Sequence, residues 1–158
     1  ENISILQLAK NVQSELSPLA QELDVDIEIA IAPTLPTITV DSDKIERTLL
    51  NLVDNALKYS PEQGTVTIGA MVEDAAYLRV VVADEGPGIP DEYKRRLFDR
   101  FVQVSGRKTI RRGVGLGLTF CKLTVEAHGG QIWVEDNSGG GSQFMMTLPL
   151  AKHPEPID

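Results

Sequence analysis

Asp84-Glu85-Gly86-Pro87-Gly88-Ile89-Pro90 is followed further along by Gly113-Val114-Gly115-Leu116-Gly117-Leu118. An acid, two close glycines and a rigid proline turn let backbone touch a flat ligand. A second glycine run that opens a helix lets backbone N–H groups face phosphate. Between the two runs lies a strongly basic stretch. Residues 94–112 hold Lys94, Arg95, Arg96, Arg100, Arg107, Lys108, Arg111 and Arg112, against Asp99 alone. That is eight of the fifteen basic side chains in a chain of net charge −8, so the positive charge speaks for a local anion. Together these features point to a nucleoside triphosphate site with a mobile basic cover.

The acidic balance argues against a general nucleic-acid or membrane-surface binder. At 158 residues the chain reads as one domain, long enough to bury roughly two-thirds of its unfolded surface without staples. Cys121 is the one cysteine, which excludes an internal disulfide and favours a reducing, cytoplasmic setting. No apolar run reaches the length of a membrane span and no signal peptide is visible. The chain opens Glu1-Asn2-Ile3 without Met, and reads as a piece of a longer protein whose parent could be membrane-anchored.

Along the chain, Leu6, Val12, Leu16, Leu19 and Leu23 have near-helical spacing, with a kink or break expected at Pro18. Val25, Ile27, Ile29 and Ile31 alternate as a strand does, and 37–40 reads as a short second strand. A helix opens near Asp41 and runs to about Tyr59, where Ser60-Pro61 stops it. Asp43 and Glu46 have capping-box spacing. Residues 66–70 and 78–82 read as neighbouring strands, the second buried. Asp91 to Asp99 reads as a short helix and 101–112 as loop. Val114 to His128 is a helix ended by Gly129-Gly130. Residues 131–135 and 143–150 form two closing strands around a hairpin at 137–141. The expected fold is an α+β two-layer sandwich. A mixed, mostly antiparallel sheet of about five strands carries about three helices on one face. The domain spans 1–151, and 152–158 forms a loose tail.

On the helix ending at Tyr59, Ile45, Leu49, Leu52, Val53 and Ala56 share one side, and Asn51, Asn55 and Lys58 the opposite one. Alone, this polar trio reads as a solvated stripe. It also reads as two amides and an amine meeting a metal–phosphate, since Mg²⁺ takes oxygen ligands and keeps several waters. Asp84 reads either as a turn-former or as a base selector that accepts from the exocyclic amine of adenine and repels guanine O6. The run from Gly113 to Gly117 reads as a hinge or as a phosphate seat. His128 lies at a helix C-terminus, where a partly charged imidazole is mildly stabilised and a capping role is expected. Cys121 and Trp133 read as packing residues.

The order of these motifs resembles the catalytic and ATP-binding domain of sensor histidine kinases, in the Bergerat-fold superfamily, over nearly the whole chain. Residues 51–59 resemble its N box, 84–88 its G1 box, 97–101 its F box and 113–118 its G2 box. The run from Gly139-Gly140-Gly141-Ser142 through Phe144 to Thr147-Leu148-Pro149 resembles its final strand. The resemblance implies ATP (or ADP) and Mg²⁺ as ligands. Asn55 would coordinate the metal, Asn51 and Lys58 would support the phosphates, and Tyr59 would lie against base or ribose. Asp84 would hold the adenine amine, and Thr147 would back the adenine pocket. Gly115 and Gly117 would let phosphates close on backbone. Gly86, Gly88, Ile89, Phe101, Arg112, Gly113, Val114, Leu116 and Leu118 complete the implied ATP set. Many members carry Arg where this chain has Gln103, so Arg100, Arg107 or Arg112 would supply that charge, with Arg100 taken as catalytic beside Asn51, Asn55 and Lys58.

Asn51 stands where the water-activating relatives carry Glu. An amide cannot act as that base, so the resemblance implies transfer of the γ-phosphoryl group to a histidine rather than hydrolysis. The acceptor histidine would sit on a separate dimerisation hairpin of the same parent protein, upstream of residues 1–23, with a response regulator downstream. The fragment itself would be monomeric, without nucleic-acid or direct membrane contact. A non-catalytic, ATP- or ADP-gated interaction module is the alternative, since it would share every binding residue.

Overall fold

The computed structural model describes residues 2–94, 96–98 and 114–150, with backbone alone at 114–116. Alternating apolar side chains build its main sheet from β2 (Asp26–Ala30), β4 (Thr65–Glu73), β5 (Tyr77–Ala83), β6 (Ile132–Asp136) and β7 (Ser142–Pro149). The spatial order is β2-β4-β5-β7-β6. β2 runs parallel to β4, and the other three pairings are antiparallel. A small antiparallel pair, β1 (Asn2–Ile3) with β3 (Ile38–Thr39), forms a second sheet that meets the end of β7 through an isolated bridge between Ile38 and Leu150. The 37–40 segment therefore does not extend the main sheet.

Three helices supply most of the second layer: α1 (Ile5–Leu23), α2 (Ser42–Tyr59) and α4 (Val114–Ala127). The fourth, α3, is one turn at Asp91–Lys94 and is shorter than the 91–99 span expected. Ile45, Leu49, Leu52, Val53 and Ala56 of α2 meet Val66, Ile68, Leu78, Val80, Val82, Phe144 and Met146 of the sheet in one core cluster. This is the two-layer α+β sandwich that the sequence implies, with four helices among the described residues, α3 being a single turn.

Of the kink or break expected at Pro18, the break does not occur: α1 continues through it. Buried Leu16 and Ala20 flank Pro18 and fix one register, while Ser14, whose carbonyl Pro18 cannot serve, is exposed to water. The N-cap of α2 is Asp41, whose Oδ1 accepts from the Lys44 amide at 3.2 Å. Glu46 turns outward instead and accepts from Asn11 Nδ2 at 2.8 Å, tying α2 to α1.

The end of α4 is well determined. Gly129 adopts φ +83, and the Gly130 amide bonds the Val125 carbonyl at 3.0 Å. His128 joins this end to the start of α2. Its Nδ1 donates to Thr124 O at 2.7 Å and its Nε2 accepts from the Asp41 amide at 3.1 Å.

Leu49 is fully buried at the centre of the helix–sheet contact. Leu49→Ala is expected to cost about 2–5 kcal/mol of unfolding free energy in a urea titration. A loss below about 1 kcal/mol would contradict the packing described.

Candidate functional site

β5 delivers Asp84 just beyond its C-terminal end, 3% exposed. One carboxylate oxygen, Oδ1, accepts from the Gly86 amide at 2.9 Å and from the Ser142 amide at 3.1 Å. Two backbone donors on one oxygen hold the carboxylate in a fixed direction. The glycines make this approach possible. A Cβ on Gly86 would stand 2.4 Å from Tyr59 O, and one on Gly141, where φ is +93, would stand 2.2 Å from Asp84 O. Glu85 anchors the same turn by accepting from the Thr65 amide at 2.5 Å. Ile89 packs into the core beside it.

Gly86 therefore brings Asp84 against Tyr59, the last residue of α2. Lys58 pairs with Asp54 one turn back on the helix. Asn55 is buried at 7% exposure, and its Oδ1 has no hydrogen-bond partner among the described residues. The trio is not a solvated stripe: α2 packs against α1, α4 and the sheet, Asn55 is buried, and Asn51 and Lys58 are half-buried. An orphaned buried amide oxygen costs about 1–3 kcal/mol, and such an oxygen is a suitable hard ligand for Mg²⁺. One turn further back, the Asn51 side chain lies beside Gly117, where a Cβ would sit 3.8 Å from its amide. From Tyr59 back to Asn51 the helix rises about 12 Å at 1.5 Å per residue. One wall thus joins the Asp84 carboxylate at one end to the start of α4 at the other, a span suited to an adenine and its phosphate chain.

The segment after the acidic turn is anchored from both sides. Leu97 and Phe98 are buried, and Phe98 meets Phe144 edge-on with centroids 6.1 Å apart. Thr119 Oγ1 donates to Phe98 O at 3.0 Å, so α4 holds the same point. Leu118 is buried. Lys94 does not add to an open basic patch. Its ammonium meets Asp136 at 2.8 Å and Asp91 at 2.5 Å, contacts that raise its pKa, Asp136 foremost. Arg100, Phe101, Gln103, Arg107, Arg112 and Gly113 lie outside the described residues, as do the side chains of Val114 and Leu116. Gly115 is placed within α4 by its backbone alone.

Thr147 is not brought to this site. Strand alternation in β7 sends Phe144, Met146 and Leu148 into the helix-facing core, and Thr147 to the other face of the sheet. There its Oγ1 accepts from the Gln131 amide at 3.0 Å, and it lines a hollow with Tyr77, Arg79 and Trp133. Arg79 lies over the Trp133 ring at 5.2 Å, so Trp133 packs as expected. The residue that does share the Asp84 end is Ser142, 2% exposed. It has the same parity as Phe144, a sequence signal that could have identified it. Gly88, with φ +80, approaches the same hairpin: a Cβ placed on it would stand 3.6 Å from Gly141 O.

Cys121 sits behind Asn51. It is fully buried, its thiol donates to Thr48 O at 3.7 Å, and burial pushes its pKa up to about 12, with the Asn51 hydrogen bond pulling weakly the other way. The folded thiol is therefore expected to resist alkylation until denaturant is added, and rapid labelling of native protein would contradict its placement. Because the folded state keeps this proton longer, its contribution to stability is complete below the unfolded value of 9.0 and is lost as pH rises toward about 12.

Among the described residues no helix is long and apolar enough to cross a membrane. The profile of the family described as histidine kinase-, DNA gyrase B- and HSP90-like ATPases matches residues 40–152. The adaptive-response sensory kinase SasA of Synechococcus sp. (strain JA-3-3Ab) is 39% identical over 146 residues, which cover 92% of this chain and 38% of that protein. The chain thus spans well under half the length of this relative. The mycobacterial sensor histidine kinase MprB superposes with a TM-score of 0.83 at 28% identity, covering 95% of this chain and 98% of the other. Full-length ShkA in complex with AMPPNP gives a TM-score of 0.84 at 33% identity, covering 99% of this chain and 32% of that one. A family profile over residues 40–152 and a relative 39% identical over most of the chain agree: this chain belongs to the histidine kinase-, DNA gyrase B- and HSP90-like ATPase family, as an ATPase domain of the sensor-histidine-kinase kind.

Proposed function

We propose that this domain binds Mg·ATP along α2 and delivers the γ-phosphoryl group to a histidine carried by a separate dimerisation domain. A response regulator would receive the phosphoryl group from that histidine. The observation that carries this reading is the buried Asn55 Oδ1, unpartnered among the described residues, on the helix that passes Gly117 at Asn51 and ends beside Asp84. Asp84 accepts from the adenine amine, Asn55 ligates the metal, and Asn51 lies toward the phosphates. Lys58 exchanges Asp54 for a phosphate oxygen as nucleotide arrives. The divalent ion would neutralise charge on the phosphates when bound.

In the transfer step a neutral imidazole nitrogen bonds to the γ-phosphorus, and the bond from that phosphorus to the β–γ bridging oxygen breaks. ADP leaves with the electron pair, and the proton on the other ring nitrogen passes to solvent. The ring nitrogen is already nucleophilic, so the step asks for positioning more than for a base. Asn51 is neutral and has the Cys121 thiol as its neighbour, so it offers no carboxylate to activate water.

Two measurements test the reading. In calorimetry, Asp84→Asn is expected to weaken ATP by about 1.5–3 kcal/mol, roughly ten- to hundredfold, and unchanged affinity would remove Asp84 from the base site. When the domain is mixed with a histidine hairpin and labelled ATP, phosphate is expected on the hairpin and is abolished by Asn55→Ala. Nucleotide binding with no transfer would instead identify an ATP- or ADP-gated interaction module. Steady ADP release by the domain alone would identify a hydrolase.

A further inference from the structure

The hairpin between β6 and β7 holds Asp84 more fully than the acidic turn itself does. The Asp84 amide donates to Ser142 O at 2.9 Å, and the Ser142 amide returns to Asp84 Oδ1 at 3.1 Å. The Asp84 carbonyl is taken by a side chain, Asn137 Nδ2, at 3.0 Å. The direction of that amide is set from behind, because Gln143 Nε2 donates to Asn137 Oδ1 at 3.1 Å. The Asn137 backbone closes the hairpin on itself, its N–H donating to Gly141 O at 3.0 Å and its carbonyl accepting from Gly140 at 3.0 Å. Gly141, at φ +93, lies so close to Asp84 that any Cβ would strike its carbonyl. The main-chain amide, the main-chain carbonyl and one carboxylate oxygen of Asp84 are thus all bound by residues 137–142.

We infer that Asn137 is a positioning residue for base recognition: through the Asp84 carbonyl it fixes the direction in which the Asp84 carboxylate meets the adenine. This rests on the base-site reading of Asp84 proposed above. Asn137 lies on the hairpin, away from the α2 wall to which the phosphates are assigned. Its loss therefore weakens recognition of the base and leaves recognition of the phosphate chain as it was. A residue that merely stabilised the fold would weaken both alike.

The test measures binding of ADP and of Mg·tripolyphosphate, which has no base, to the wild type and to Asn137→Asp and Asn137→Ala. Asp keeps the size and deletes the donor, and Ala deletes the donor without adding charge. ADP is expected to bind about three- to tenfold more weakly to both variants, the scale of one neutral hydrogen bond, and tripolyphosphate equally to all three. In an Asp84→Asn background the further effect of Asn137→Ala should largely vanish, since the two act through one group. Unchanged ADP affinity in both variants, or an equal loss for ADP and tripolyphosphate, overturns the inference. If Asp84→Asn alone leaves ADP binding intact, the base-site reading fails and takes this inference with it. If Asp84→Asn weakens ADP but Asn137→Ala does not, only the inference fails.

Discussion

Two backbone N–H groups converge on a single oxygen of Asp84, one from the turn that follows it and one from the strand beside it. That convergence is the constraint on which the rest of the cleft depends. It needs a strand that ends in a buried acid, and a glycine at position 86 so that the turn can touch the end of α2. It also needs a glycine at position 141 so that the hairpin can touch the strand. Each of these contacts brings backbone closer than any Cβ would allow. A carboxylate so fixed is preorganised for a donor on a flat ring, because its orientation does not have to be found again at each binding event.

α2 turns this local feature into a site. Its apolar face is pinned to the sheet and its flanks to α1 and α4, so the helix acts as a rigid wall between the acidic turn and the start of α4. Burial of Asn55 on that wall leaves an amide oxygen without a partner among the described residues, a cost that a bound cation would remove. Through His128 and Asp41, α4 is tied to α2 at its C-terminal end, and through Thr119 it is tied to Phe98.

The strands and helices were legible from period two at 66–70, a dense apolar run at 78–82 and a period near 3.6 at 45–56. The glycine and acid spacing pointed to the candidate site. What failed did so for reasons that pattern alone does not carry. The helical wheel of α2 shows Asn55 opposite the core face, but it cannot show that α2 packs against α1 and α4 as well as the sheet, with Asn55 buried. The cap fell at Asp41 rather than Asp43 because the spacing of acids does not say which one has extended backbone. Pro18 did not break α1 because Leu16 and Ala20 are buried on either side of it. Thr147 was assigned to the adenine pocket by motif resemblance, whereas counting by twos from Phe144 leads to Ser142. The part played by Asn137 leaves no sequence signal, since it arises only when the hairpin folds back on Asp84.

The central claim is that Asp84 and Asn55 grip two ends of one nucleotide. A crystal structure with Mg²⁺ and a non-hydrolysable ATP analogue tests it most directly. The account predicts the adenine amine within hydrogen-bond distance of Asp84 and the metal bound to Asn55 Oδ1, with the phosphates lying toward Asn51 and Gly117. A nucleotide whose base lies away from Asp84, or a metal held without Asn55, would contradict it.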